Sequence, residues 1–294
     1  MQRGSDKMKS IEDCIAGRIS SEVAIARMLL EGADADAILA ATRSNHPLMM
    51  RINALVADRR DALNMLAAQI AADREACRIA GEQLNPSLLA ASIAQTAAFF
   101  DHAVRHSAEA SVALYSLGDP TILQVATTEI VGWLEAQALL QASSDVVDLG
   151  CGIGRVAAAM APRCRSVLAL DVSTAMVAEA TKRLDGLSNV EVRRTDGCGV
   201  EFLAAASFDL ILAVDSFPYI IQAGADLALR HVHGAARVLR PGGALCILNL
   251  SYRDNHAADQ ADLKAWSAAT GMRLLHSGIR PFDLWDGAAY VLVR

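Results

Sequence analysis

The stretch from Asp145 to Gly154, D-V-V-D-L-G-C-G-I-G, constrains this chain more than any other, because an apolar run stops in a loop of alternating glycines. Val146, Val147 and Leu149 are the β-branched and aliphatic residues of a short buried strand. Gly150, Gly152 and Gly154 then remove every second side chain, so that a ligand can approach bare backbone. The following R-V-A-A-A-M-A predicts a helix start with its free amides toward the loop, stopped at Pro162. Strand, glycine loop and helix together predict a nucleotide-type site. A dinucleotide loop of the G-x-G-x-x-G kind would need a glycine at position 155, where Arg155 stands.

From Asp145 onward the pattern alternates strand and helix, the signature of a parallel sheet with right-handed crossovers. S-V-L-A-L-D is a second strand ending at Asp171, where doubly wound folds place an acid for the ribose hydroxyls. Ser173 is an N-cap, and Met176, Val177, Ala180 and Leu184 form the packing stripe of the helix behind it. N-V-E-V-R-R leads to Thr195-Asp196-Gly197, and F-D-L-I-L-A-V-D reads as a central strand ending at Asp215. A helix from about Ala225 to Leu239 precedes R-P-G-G, read as a turn into A-L-C-I-L-N-L. A helix from Asp259 to Thr270, the strand M-R-L-L-H, a loop through Trp285 and a last strand A-A-Y-V-L-V complete the chain.

These segments resemble, in order, the class I S-adenosylmethionine-dependent methyltransferases. Asp148 to Gly154 is similar to the family's first motif, D-x-G-x-G-x-G, and R-V-L-R-P-G-G-A-L (Arg237 to Leu245) to its approach to the fifth strand. The resemblance implies an α/β fold with a Rossmann-like, doubly wound, seven-stranded sheet whose last strand is antiparallel. It also implies S-adenosylmethionine as cofactor, held by Tyr115, Asp148, Gly150, Gly152, Gly154, Asp171, Val172, Met176, Asp196, Gly197 and Asp215. For Asp196 a plain Asp-Gly turn is the competing reading. For Tyr115 and Ser111, candidates for a segment folded over the cofactor, it is ordinary packing around Gly118-Asp119-Pro120.

Residues 1–94 read as helical throughout, preceding a methyltransferase domain over 95–294. Ser20 or Ser21 caps a helix closed at Gly32, and Pro47 opens a helix that continues toward Leu84 before Asn85-Pro86 breaks it. The region is either a cap on the main domain or a homodimerisation or partner-binding module.

Composition narrows the partners. A net charge of -6 and a pI near 5.6 argue against a nucleic-acid backbone as ligand. The six cysteines lack C-x-x-C spacing, which argues against disulfides and structural zinc, and His102/His106 lack the Glu of H-E-x-x-H, so no metal is expected. No signal-peptide pattern and no 18-residue apolar stretch is present, so a cytoplasmic location away from membranes is expected.

Methyl transfer from a sulfonium needs alignment and exclusion of water more than acid-base chemistry. Asp215-Ser216-Phe217-Pro218-Tyr219 departs from the Asn/Asp-Pro-Pro-aromatic pattern of the family's nucleobase and amide N-methylating members. A small-molecule acceptor, methylated on oxygen rather than nitrogen, is therefore favoured. The alternatives are a peptide or carrier docked on the N-terminal helices, and a non-catalytic cofactor-binding partner protein. Topology puts the acceptor beyond the ends of the fourth and fifth strands, with Tyr219, Tyr252, Arg253 and His256 as catalytic candidates and His256 as candidate base. Arg280, Trp285 and Asp286 are expected nearby, the two arginines holding an acidic acceptor group, unless Arg253 and Arg280 simply pair with Asp254 and Asp283.

Overall fold

The computed structural model describes residues 3–83 and 89–294, with side chains for 9–72 and 92–294. Two compact units emerge. The first comprises Met1–Asn85, Ala103–Ala126 and Phe282–Asp286, and the second Pro86–His102, Thr127–Pro281 and Gly287–Arg294.

The first unit is helical: α1 (Arg3–Ile15), α2 (Ser21–Leu30), α3 (Ala35–Ala41), α4 (Pro47–Asp58) and α5 (Arg60–Gln83). Ser20 is the cap of α2, its hydroxyl accepting from the Val23 amide at 3.1 Å while donating to the Leu284 carbonyl at 2.7 Å. Ile25, Met28, Leu29, Ile38, Met49, Ile52 and Leu63 are fully buried and form its core. The single helix expected from Pro47 toward Leu84 is two, parted at Arg59 (φ -119°), whose guanidinium pairs with Asp119. The expected break at Asn85-Pro86 lies outside the described residues.

Helix α6 (Leu89–His106) follows, then α7 (Ala108–Val112), a short 3-10 turn Leu114–Ser116, and α8 (Pro120–Ala136).

The second unit is built on a sheet of seven strands: β1 (Asp145–Leu149), β2 (Ser166–Asp171), β3 (Val190–Arg194), β4 (Phe208–Val214), β5 (Leu239–Leu248), β6 (Arg273–Ile279) and β7 (Ala289–Val293). Their spatial order is β3-β2-β1-β4-β5-β7-β6. The connecting helices are α9 (Arg155–Met160), α10 (Thr174–Arg183), α11 (Phe217–Ala223), α12 (Ala225–Val238) and α13 (His256–Thr270). Strands β1 to β5 run parallel, and β7 is antiparallel to both β5 and β6. It follows that β6 is parallel to β5. The loops after β1, β2, β4, β5 and β6 therefore open on one edge of the sheet, and β1 and β4 flank the point where strand order reverses. Val147, Ile211, Leu245, Ile247, Val232, Leu263 and Tyr290 belong to the core between sheet and helices.

One local expectation is corrected. Arg240-Pro241-Gly242-Gly243 is a wide bulge inside β5 and no turn before it, since Leu239 pairs with Phe208 and Ala244 with Leu210. Gly243 is needed there because a Cβ would lie 3.0 Å from the carbonyl oxygens of Arg240 and Asp209.

Candidate active site

The loop after β1 is strapped to its neighbour by main-chain bonds: Gly150 and Cys151 donate to the Leu170 carbonyl at 2.8 and 2.9 Å. All three loop glycines have positive φ, 77°, 54° and 75° at Gly150, Gly152 and Gly154. A Cβ at Gly150 would stand 2.3 Å from Cβ of Ser216, whose hydroxyl donates to the Leu149 carbonyl at 2.5 Å. The backbone of the β1 loop thus touches the start of the β4 loop, which only glycine permits.

Asp171, at the end of β2, is oriented by two amides. Gly152 donates to Oδ2 and Ser173 to Oδ1, each at 2.9 Å. Burial raises its carboxyl above the usual range, these amides oppose the rise, and the nearby Asp101 adds to it. Asp101, on α6, also accepts from the Ser173 hydroxyl at 2.6 Å and the Ala175 amide at 2.8 Å, so it caps α10 together with Ser173. Nothing in the sequence distinguishes Asp101 from other helical acids, and it is absent from the candidate set.

Asp148 is buried, and among the described residues its Oδ2 has no hydrogen-bond partner. Burial pushes the carboxyl up to about 7, the charge of Arg155 opposing and that of Asp171 adding. Arg155 is itself buried and donates to the Thr127 hydroxyl at 2.9 Å. The residue that breaks the dinucleotide spacing thus faces inward, with its charge close enough to Asp148 to moderate its acidity.

Further along the edge, Val172 and Gly197 are neighbours: a Cβ on Gly197 would lie 2.8 Å from Cγ1 of Val172 and 3.0 Å from Cγ2 of Ile93. Asp196 is exposed, and its Oδ1 accepts from the Cys198 amide at 2.9 Å, which closes an Asx turn. Met176 is buried in the α10 stripe. Tyr115 belongs to the helical unit, where it stacks on Trp285 with ring centroids 6.1 Å apart.

S-adenosylmethionine, the cofactor the resemblance implies, is compatible with these residues. The loop offers backbone that a Cβ would obstruct, Asp171 presents oriented carboxylate oxygens, and Asp148 supplies an unpartnered buried oxygen behind them.

After β4, Asp215 adopts φ 54° and Asn249, after β5, φ 65°. Asn249 Nδ2 donates to Asp215 Oδ1 at 2.7 Å, and the Tyr252 hydroxyl donates to the same oxygen at 3.1 Å. The Tyr219 and Tyr252 rings meet edge to face at 5.8 Å, and Phe100 meets Tyr219 at 5.1 Å. Burial, with the Asp215 charge beside it, pushes the Tyr219 phenol up to about 12, which keeps it a neutral donor. Asn249 was not a candidate, although a lone amide ending an otherwise apolar strand is a readable signal.

Two expectations for the acceptor side are corrected. The Arg253 guanidinium is held by Asp259, Nε to Oδ1 at 2.7 Å, and by Asp262 at 2.6 Å, in place of Asp254. Arg280 Nη2 lies 2.7 Å from His256 Nε2 and so pairs with His256 in place of Asp283; since arginine only donates, that nitrogen accepts and is not available as a base. Trp285 and Asp286 are partnered within the helical unit, where Asp286 accepts from Arg27 at 2.6 Å. Among the described residues, no cluster of three or more His, Cys, Asp or Glu side chains gathers to hold a metal, and no helix is long and apolar enough to cross a membrane.

Comparison with known proteins agrees with this geometry. Residues 146–243 match the methyltransferase domain family. The chain is 27% identical over 136 residues to the S-adenosyl-L-methionine-dependent Diels-Alderase iccD of Talaromyces variabilis, covering 45% of this chain and 44% of that one. It is 30% identical over 159 residues to the demethylmenaquinone methyltransferase of Clavibacter sepedonicus, covering 53% of this chain and 58% of the relative. It thus spans about half the length of these two relatives. In fold it is similar to phosphoethanolamine N-methyltransferase 1 of Haemonchus contortus, with TM-score 0.54 at 14% identity over 72% of this chain and 50% of that one. Glycine loop, strand order and the match over residues 146–243 together show that this stretch is a methyltransferase domain of the class I, S-adenosylmethionine-dependent kind.

Proposed function

We propose that the protein is an enzyme that transfers a methyl group from S-adenosylmethionine to a hydroxyl oxygen of a small molecule bound beyond the ends of β4 and β5. The observation that carries this reading is the carboxylate of Asp215, set in a left-handed backbone conformation between the Asn249 amide and the Tyr252 hydroxyl. Non-glycine residues held at positive φ concentrate at functional positions.

When bound, S-adenosylmethionine supplies an electrophilic methyl group whose leaving group is a neutral thioether. Gly150 to Gly154 and Asp171 hold it, while Val172, Met176, Asp196 and Gly197 belong to the same edge of the sheet. Asp215 takes the proton that the acceptor hydroxyl gives up, and Asn249 and Tyr252 steady the carboxylate by donating to it. Tyr219, held protonated, orients the acceptor by donation and does not remove its proton. The Phe100, Tyr219 and Tyr252 rings pack against one another and favour a partly apolar acceptor.

A second reading, cofactor binding without methyl transfer, is favoured by one observation: a relative in the comparison is named as an S-adenosyl-L-methionine-dependent Diels-Alderase. Incubation with methyl-labelled S-adenosylmethionine and panels of small hydroxylated and amino compounds separates the readings. Labelled ether products that disappear in Asp215→Asn support transfer to a hydroxyl oxygen. Labelled amines overturn the oxygen assignment, and bound cofactor with no labelled product in any panel supports the second reading.

A further inference from the structure

The segment between β5 and α13 meets the end of β6 through a chain of hydrogen bonds that leads outward from a buried carboxylate. Asp259 is 5% exposed, and its Oδ1 accepts from the Ser251 hydroxyl and from Arg253 Nε, both at 2.7 Å. Its Oδ2 accepts from the hydroxyl of Tyr290 at 3.3 Å. That phenol, pushed up to about 12 by burial and the charge of Asp259, is a standing donor to the carboxylate. Its oxygen in turn lies 3.3 Å from His256 Nδ1. At the outer end, His256 Nε2 meets Arg280 Nη2 at 2.7 Å.

The direction of every link is fixed by chemistry. A guanidinium has no lone pair to offer, so His256 Nε2 carries the lone pair and Nδ1 the proton. Nδ1–H donates to Tyr290, and Tyr290 donates to Asp259. The two partners set the tautomer of the imidazole. Arg253 cannot serve as the outer cation, because Asp259 and Asp262 already neutralise it. Arg280 differs: it is exposed and has no carboxylate partner among the described residues. Of its five N–H donors one goes to His256, which leaves a planar face of donors for an oxyanion. Arg280 follows β6, so it stands on the sheet edge shared by the loops after β1, β4 and β5.

We infer that Arg280 is an oxyanion receptor for the acceptor molecule, a carboxylate or phosphate group on the same compound, and that His256 is the residue that positions it. This deepens the methyl-transfer reading and rests on it for the word acceptor, but the receptor can be tested without turnover.

The experiment uses the full chain with benzoate, phenyl phosphate and, as an uncharged control, benzyl alcohol, each followed by calorimetry. At least one of the two anions should bind tenfold or more tighter than benzyl alcohol, and which one does so distinguishes the two anion chemistries. Arg280→Ala should remove that preference. His256→Phe should weaken the anion several-fold, and His256→Gln, whose carbonyl can accept from Arg280 while its amide donates to Tyr290, should restore most of it. Nitrogen-15 NMR of the histidine rings adds a readout that folding alone does not set: His256, identified by its loss in the variants, should show the Nδ1–H tautomer at neutral pH. Equal binding of anions and benzyl alcohol, an unchanged preference in Arg280→Ala, or an Nε2–H or doubly protonated His256 would overturn the inference. S-adenosylhomocysteine affinity is measured alongside in the parent and each variant; its absence in the parent would count against the methyl-transfer reading and not against the receptor.

Discussion

The side-chain amide of Asn249 donates to the carboxylate of Asp215 at 2.7 Å, and both residues hold left-handed backbone at the ends of adjacent strands. Asn249 also accepts from the Ala288 amide at 3.0 Å and donates its own amide to the Ala288 carbonyl at 2.8 Å, which ties β4, β5 and β7 at one point. Replacing it by Val removes two side-chain hydrogen bonds and places a β-branched residue at φ 65°. We expect Asn249→Val to lower unfolding free energy by roughly 2–4 kcal/mol, read by urea titration. Asn249→Asp keeps the Ala288 contact but faces Asp215 with a like charge, so turnover should fall more steeply than stability.

Gly150 has no room for a methyl group. With Ser216 Cβ 2.3 Å from its virtual Cβ and φ at 77°, Gly150→Ala should push the β1 loop away from the β4 loop. The expected result is a folded protein, by circular dichroism, with cofactor affinity reduced at least tenfold. Adding Ser216→Gly should recover part of that loss by removing the collision, while the conformational cost at position 150 persists.

The opposite edge of the sheet carries a charge network that predicts acid sensitivity. Asp145 accepts from Arg165 Nε at 2.8 Å, from the Ser166 hydroxyl at 2.7 Å and from Arg240 at 2.8 Å. Burial alone would raise its carboxyl, but these bonds prevail and hold it at about 2. A carboxyl depressed in the folded chain stabilises fully above its unfolded value, near 3.9, and that stabilisation is lost as pH falls toward 2. Melting temperature should therefore decline from about pH 4 downward, and Asp145→Asn should flatten that decline while lowering stability at pH 7.

Residues 1–94 are expected to join two copies of the chain. Among the described residues, α4 and α5 expose Met50 at 59% and Met65 at 68%, large apolar side chains with no cover within their own unit. Light scattering should report twice the chain mass for the parent and a single chain for Met50→Glu/Met65→Glu. A parent of single-chain mass would return the segment to the role of a cap.

What could be read from the sequence was local. The positive φ values of the glycine loop and the Ser173 cap are set by neighbours in the chain, and they stand in the structure as spacing and turn chemistry suggest. What could not be read depends on partners far apart. Arg240-Pro241-Gly242-Gly243 has turn composition, yet the pairing of β5 with β4 draws it into a bulge. The break falls at Arg59, whose partner Asp119 lies far along the chain, a pairing that helical periodicity does not register. His256 looked like a free base until β6 brought Arg280 against it, and Arg253 looked like a substrate ligand until α13 supplied Asp259 and Asp262.

Calorimetric titration of the full chain with S-adenosylmethionine, compared with its Asp171→Ala variant, tests the central claim most directly. The parent should bind S-adenosylmethionine and give no heat with a nicotinamide dinucleotide. The variant should lose about 1.5–3 kcal/mol, a tenfold or greater weakening, because a charge-assisted bond to the ligand and the strap to Gly152 vanish together. A parent that binds the dinucleotide instead, or an Asp171→Ala chain that binds S-adenosylmethionine as tightly as the parent, would contradict the account.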